Sequence, residues 1–192
     1  MRLVAVAKLQ PAAAVVAARR AGVVDVGENR AQELLAKALD PSLSGTRWHM
    51  IGRVQTNKIK VLAPHVHLWQ SVDRQEVVHE LARRAPAAKL LVQVNTGREP
   101  HKGGCDPDGV ARLVEQAAAH GLAVEGLMCV PPVLADPLPH FVALRSMVDK
   151  LALAECSMGM TGDFEIAIGA GATIVRVGSA IFGRRATATP GG

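Results

Sequence analysis

Eight short runs of β-branched and apolar residues alternate with helical stretches along the 192-residue chain, and this rhythm restricts the fold more than any other feature. Strands are expected over residues 3–7, 23–26, 48–51, 67–71, 90–95, 123–128, 155–158 and 173–177. Helices are expected over 12–21, 30–39, 55–62, 74–84, 108–120, 139–153 and 163–169. Strands separated by helices of this length form βαβ units and a parallel sheet. Runs such as Leu90-Leu-Val-Gln-Val-Asn95 are apolar on nearly both faces, as needed where helices cover one side and a packed interior the other. Eight strands with seven helices predict a single α/β domain, a (β/α)8 barrel lacking its last flanking helix. An open doubly wound sheet would usually carry a glycine fingerprint after its first strand. Here that strand ends in Lys8-Leu-Gln-Pro11, and Gly169-Ala-Gly171 has no third glycine at the needed spacing. The barrel is expected to span 1–183, with 184–192 an aperiodic, disordered tail.

Composition narrows the function classes. A hydrophobic content of 49% is ample for a full core. No apolar run reaches the roughly 18 residues of a membrane span, and Met1 to Lys8 is charged too early for a signal peptide. The spacing of Cys105, Cys129 and Cys156 fits neither a disulfide framework nor a zinc site, so a reduced cytoplasmic setting is expected. His65 and His67 lack a third ligand at metal spacing, and no metal is expected. The formal charge of +5 admits nucleic acid, but the basic residues are scattered pairs and 3% aromatic residues leave little to stack bases on. No nucleic-acid partner is expected.

The chemistry concentrates in residues 155–185. Ser157-Met-Gly159 ends one strand and Gly178-Ser179 ends the next, and glycine lets backbone N–H groups approach an anion closely. Barrel enzymes commonly bind phosphate on their last two strand ends and place reactive groups at the carboxyl ends of strands. Lys8 ends the first strand among apolar neighbours, where desolvation favours an amine that condenses with a carbonyl. Together these features point to a phosphorylated aldehyde held as a Schiff base, pyridoxal 5′-phosphate. Arg176 lies within Thr-Ile-Val-Arg-Val-Gly and shares a strand face with Ile174 and Gly178. If that face is the interior, its guanidinium requires an acceptor. A pyridine nitrogen and a carboxylate such as Glu28 or Asp73 are the two candidates. Asn29 is placed to cap the second helix, His49 reads as a hydrogen-bonded core residue, and Lys102 sits on a loop after the fifth strand.

In order along the chain, Ala5-Val-Ala-Lys8, Gly27-Glu-Asn-Arg-Ala-Gln-Glu33, Trp48-His-Met-Ile-Gly-Arg-Val-Gln-Thr-Asn-Lys58, Ser71-Val-Asp73, Gly126-Leu-Met-Cys-Val-Pro-Pro132, Ser157-Met-Gly-Met-Thr-Gly-Asp163 and Arg176-Val-Gly-Ser-Ala-Ile-Phe-Gly183 resemble the YggS/PROSC family of pyridoxal phosphate homeostasis proteins. The resemblance implies a barrel like the N-terminal domain of alanine racemase (fold type III). It implies that Lys8 bonds the cofactor, that Ser157, Gly159, Gly178 and Ser179 hold its phosphate, and that Arg176 faces its pyridine nitrogen. It also places Asn29 at the pocket and Lys102 in cofactor handling. The chain departs from the family in Ala7, where serine is usual, in Thr161-Gly162, and in starting almost on the first strand.

The expected function is therefore cytoplasmic buffering or delivery of pyridoxal 5′-phosphate by a monomer, without catalysis, with apo-enzymes that use the cofactor as candidate recipients. The rival is an amino-acid racemase. Racemisation on this fold needs two bases on opposite faces, and the alanine racemase resemblance draws one of them, a tyrosine, from a second domain. This chain contains no tyrosine.

Overall fold

The computed structural model describes residues 1–183. The expectation for 184–192 lies outside the described residues. Eight parallel strands, β1 (Arg2–Val6), β2 (Asp25–Glu28), β3 (Arg47–Met50), β4 (Val66–Val72), β5 (Lys89–Val94), β6 (Ala123–Cys129), β7 (Glu155–Ser157) and β8 (Ile174–Val177), pair in chain order. The barrel closes through β1 and β8, with Val4 opposite Arg176. The outer layer holds α1 (Ala12–Arg20), α2 (Ala31–Ala38), α3 (Thr56–Leu62), α4 (Gln75–Arg84), α5 (Val110–Ala119), α6 (Pro137–Lys150) and α7 (Phe164–Gly169). After β8 comes α8 (Ser179–Phe182), a single turn in place of a full flanking helix. Leu3, which pairs with Val175 across the closure, remains 44% exposed on that side.

Apolar residues three and four apart turn one face of each helix onto the sheet, as Phe141, Leu144 and Val148 do on α6. They meet the outward faces of the strands in one large core that includes Val26, Trp48, Trp69, Leu90 and Leu127. A second cluster, Val4, Leu68, Leu91, Met128 and Ile174, packs the barrel interior. Among the described residues no helix is long and apolar enough to cross a membrane.

Of the boundaries that differ from the sequence expectation, two have a clear physical reason. Helix α6 starts at Pro137, ahead of residue 139, because Asp136 accepts a hydrogen bond from Leu138 N–H and proline suits the first helical position. Strand β2 runs to Glu28 and carries two charged residues, Asp25 and Glu28, buried within the sheet. Each has a cationic partner: Arg47 for Asp25 and Lys37 for Glu28. This extension moves the start of α2, whose N-cap is Arg30 without a side-chain capping bond. The expectation that Asn29 caps this helix is thereby corrected.

Candidate functional site

The carboxyl ends of β1, β2, β6 and β8 and the loop after β7 surround a cavity of ≈ 310 Å³. That volume is at the lower end for small-molecule sites. Its lining brings together Lys8, Asn29, Arg176, Gly178 and Ser179 from the sequence expectation. Lys8 sits two residues past the end of β1, in a turn closed by Gln10 N–H donating to Ala7 O at 3.0 Å. Asn29 follows β2 and lies against Gly52, where a Cβ would fall 2.0 Å from the Asn29 carbonyl oxygen. Only glycine lets the loop after β3 approach so closely. Gln10, Ile51, Val130, Met160, Thr161 and Gly162 complete much of the wall.

Thr161, Gly178 and Ser179 carry the polar rim of the pocket. Gly178 N–H donates to Thr161 Oγ1 at 3.2 Å, which ties the loop after β7 to the turn after β8. The amides of Ser179 and Ala180 open α8 ahead of its first bond, Ile181 N–H to Gly178 O at 3.0 Å. Thr161 and Gly162 were not singled out from sequence as ligands. Their position in the glycine-containing loop after the seventh strand was the available signal.

Ser157 and Gly159 take different places. Ser157 is fully buried, its hydroxyl donating to Gln70 Oε1 at 2.6 Å and accepting from Arg176 Nη1 at 2.6 Å. Both hydrogen-bonding roles of its hydroxyl are occupied, and Ser157 lies outside the cavity wall, where it supports Arg176. Gly159 is buried behind the wall. Its φ of 90° and a Cβ position only 2.5 Å from Ala167 Cβ require glycine, and its carbonyl accepts Arg176 N–H at 2.9 Å. Its role is the turn itself.

Arg176 is 4% exposed and faces no carboxylate directly among the described residues. Glu28 belongs to Lys37 and Asp73 to Arg74, so neither expected acid partner reaches it. Its other bond goes to Cys129 O at 2.8 Å. Burial pushes its pKa down, yet a guanidinium stays charged. A chain of bonds carries that charge through the interior. Gln70 uses its carbonyl for Ser157, so its NH2 faces His49 Nδ1 at 2.8 Å. His49 Nε2 then carries the proton and donates to Asp25 Oδ1 at 2.9 Å. Asp25 closes the chain against Arg47 at 2.6 Å. Burial raises the Asp25 pKa, but the bonds from His49 and Arg47 outweigh it and hold the carboxyl at about 2. Each buried group left unpaired would cost about 1–3 kcal/mol, so the links depend on one another.

This chain sets a pH dependence. Burial lowers the His49 pKa below 6.5, an effect only partly opposed by Asp25. The folded state thus prefers neutral His49, and that stabilisation is present above pH 6.5 and is lost as pH falls below it. Stability against heat or urea should fall from pH 7 to pH 5 by at most about 1.4 kcal/mol per pH unit for this one proton. His67, 5.7 Å away, shifts in the same direction and adds to the trend. A His49→Asn variant should have a flatter profile; an equally steep one would assign the dependence elsewhere.

Lys102 pairs with Glu99 at 2.7 Å on the loop after β5 and is not part of the cavity wall.

A model of the alanine racemase N-terminal domain family matches residues 1–186. The pyridoxal phosphate homeostasis protein of Aquifex aeolicus (strain VF5) is 42% identical over 178 residues, covering 85% of this chain and 78% of that protein. The one from Pseudomonas aeruginosa is 39% identical over 198 residues, covering 98% and 86%. The chain belongs to this family. Among solved structures, PipY of Synechococcus elongatus PCC7942 with PLP bound superimposes with a TM-score of 0.88. It is 33% identical, with 95% of this chain and 92% of PipY covered.

Proposed function

We propose that this protein binds pyridoxal 5′-phosphate and holds it in reserve for the enzymes that use it. One observation carries the reading: an amine, a buried guanidinium without a carboxylate partner, and a rim of hydroxyl and amide donors converge on a single small cavity. That donor set fits this cofactor, which has an aldehyde, a basic ring nitrogen and a phosphate. When bound, the cofactor supplies a reactive carbonyl conjugated to an electron-accepting ring. Lys8 would hold the aldehyde carbon through a carbon–nitrogen double bond, its two amine protons leaving with the carbonyl oxygen as water. Arg176 would donate to the ring nitrogen. Thr161, Ser179 and the amides opening α8 would hold the phosphate, and Asn29 would bound the ring side of the pocket.

The family relationship supports the same reading, since relatives across nearly the whole chain are named for pyridoxal phosphate homeostasis. Three free cysteines, two of them buried, fit the reducing cytoplasm. Apo-enzymes that require the cofactor are the recipients this role calls for, and the protein acts as a monomer.

The test is equilibrium dialysis with pyridoxal 5′-phosphate. Hydrogen bonds to a charged group contribute roughly 1.5–3 kcal/mol, so Ser179→Ala should bind about ten- to a hundredfold more weakly than wild type. Equal affinities would remove Ser179 from the phosphate site, and a wild-type protein that retains no cofactor would defeat the whole reading.

A further inference from the structure

The turn that carries Lys8 is gripped from outside the cavity. Its Ala7 carbonyl accepts a hydrogen bond from Lys37 Nζ at 2.9 Å, and the Leu9 amide donates to Glu33 Oε2 at 2.8 Å. These are the backbone groups immediately before and after Lys8. Both gripping side chains come from α2, four residues apart and so on one face of the helix. Leu9 has a φ of 63°, a left-handed conformation that is unfavourable for a side chain with a Cβ, and it is 55% exposed. Packing therefore does not force this backbone shape on Leu9, whereas the bond to Glu33 does hold it.

Lys37 itself is set in place at some expense in solvation. Its side chain is 8% exposed and pairs with Glu28, which is fully buried and whose second oxygen, Oε2, has no hydrogen-bond partner among the described residues. A buried ion pair is weak evidence of stabilisation, since removing both charges is often neutral. Here its geometry does something else: it delivers an ammonium group to one particular carbonyl beside Lys8.

We propose that Glu33 and Lys37 are positioning residues that clamp the Lys8 turn and thereby aim its amine into the cavity. The clamp rests on the reading of Lys8 as the cofactor's attachment point. It affects the condensation of that amine with the aldehyde, which releases one water, and leaves phosphate binding alone. It also gives the segment Gly27 to Glu33 a purpose beyond ligand contact, because α2 reaches the turn from behind.

The experiment uses the full chain with two ligands. Pyridoxine 5′-phosphate has the ring and phosphate but no aldehyde, and its affinity reports the pocket without Lys8 chemistry. Pyridoxal 5′-phosphate trapped with borohydride and located by peptide mass spectrometry reports the rate of attachment at Lys8. Glu33→Leu and the charge-balanced double variant E28Q/K37M should bind pyridoxine 5′-phosphate within about twofold of wild type. Their trapping rate at Lys8 should fall on the order of tenfold or more, as expected for a misplaced reacting group. Adding Leu9→Gly to Glu33→Leu should recover part of the rate, because glycine takes the left-handed conformation without restraint. Equal trapping rates in the variants and the wild type would overturn the clamp while leaving the function intact. Equal losses for both ligands, without recovery by Leu9→Gly, would reduce Glu33 and Lys37 to general supports of the fold. A wild type that neither binds pyridoxine 5′-phosphate nor traps label at Lys8 would sink the functional reading and the clamp with it.

Discussion

A Lys8→Ala protein mixed with pyridoxal 5′-phosphate should lack the visible band of a protonated imine that the wild type shows, keeping only the absorbance of the unreacted aldehyde. The reason lies in the lining of the cavity. Lys8 is the only primary amine on its wall among the described residues. Lys37 is occupied by Glu28 and the Ala7 carbonyl, and Lys102 by Glu99. Loss of the visible band should therefore be complete, and borohydride should fix no label in the cavity. Phosphate and ring contacts remain, so the variant should still bind the cofactor reversibly, with affinity reduced by more than the single-contact loss expected for Ser179→Ala. The measurement is an absorbance spectrum before and after borohydride, followed by peptide mapping. A yellow variant with a stable adduct on another lysine would reassign the attachment point and undo the clamp proposed for α2.

The barrel was legible in the sequence because two periodicities alternate without interruption, and the chain order of strands follows from parallel βαβ connection. What escaped was polarity inside the sheet. Val23 and Val24 read as the start of a strand, yet β2 runs from Asp25 to Glu28. The expected strand 23–26 included Asp25 but stopped short of Glu28, and the pattern has no access to Arg47, His49 and Lys37, which come from other elements and make burial of the two carboxylates tolerable. The one-turn α8 escaped for a related reason: four residues are too few for a helical period.

The site divides in the same way. Lys8, Asn29, Arg176, Gly178 and Ser179 all face one cavity, because strand ends on one side of a barrel converge whatever the sequence between them. Ser157 also ends a strand, but its hydroxyl is claimed by Gln70, 87 residues away. No local spacing could have announced that contact. Arg176 shows both cases at once. Alternation placed it on the interior face, whereas its supporting chain through Ser157, Gln70 and His49 to Asp25 exists only when five strands are assembled.

The expected result for loaded protein is no appreciable racemisation of L-alanine or other L-amino acids. Inverting a stereocentre requires a base on one face of the substrate and an acid on the other. Lys8 can serve one face. The chain has no tyrosine to serve the second. His49 is the other side chain whose ordinary pKa would suit the task. It is instead sealed in the interior, fully buried, with both ring nitrogens engaged by Asp25 and Gln70 and its pKa lowered by burial. Arg176 keeps its proton and offers no basic site. A missing acid–base partner typically forfeits about 10²–10⁴-fold in rate, so D-product should remain at a trace level. The assay incubates loaded protein with each amino acid in deuterated water and follows exchange at Cα together with the appearance of D-isomer. Slow exchange without D-isomer is what a single amine at Lys8 permits. Rapid exchange with D-isomer at ordinary enzyme rates would require a second proton donor at the cavity and would make this protein a racemase.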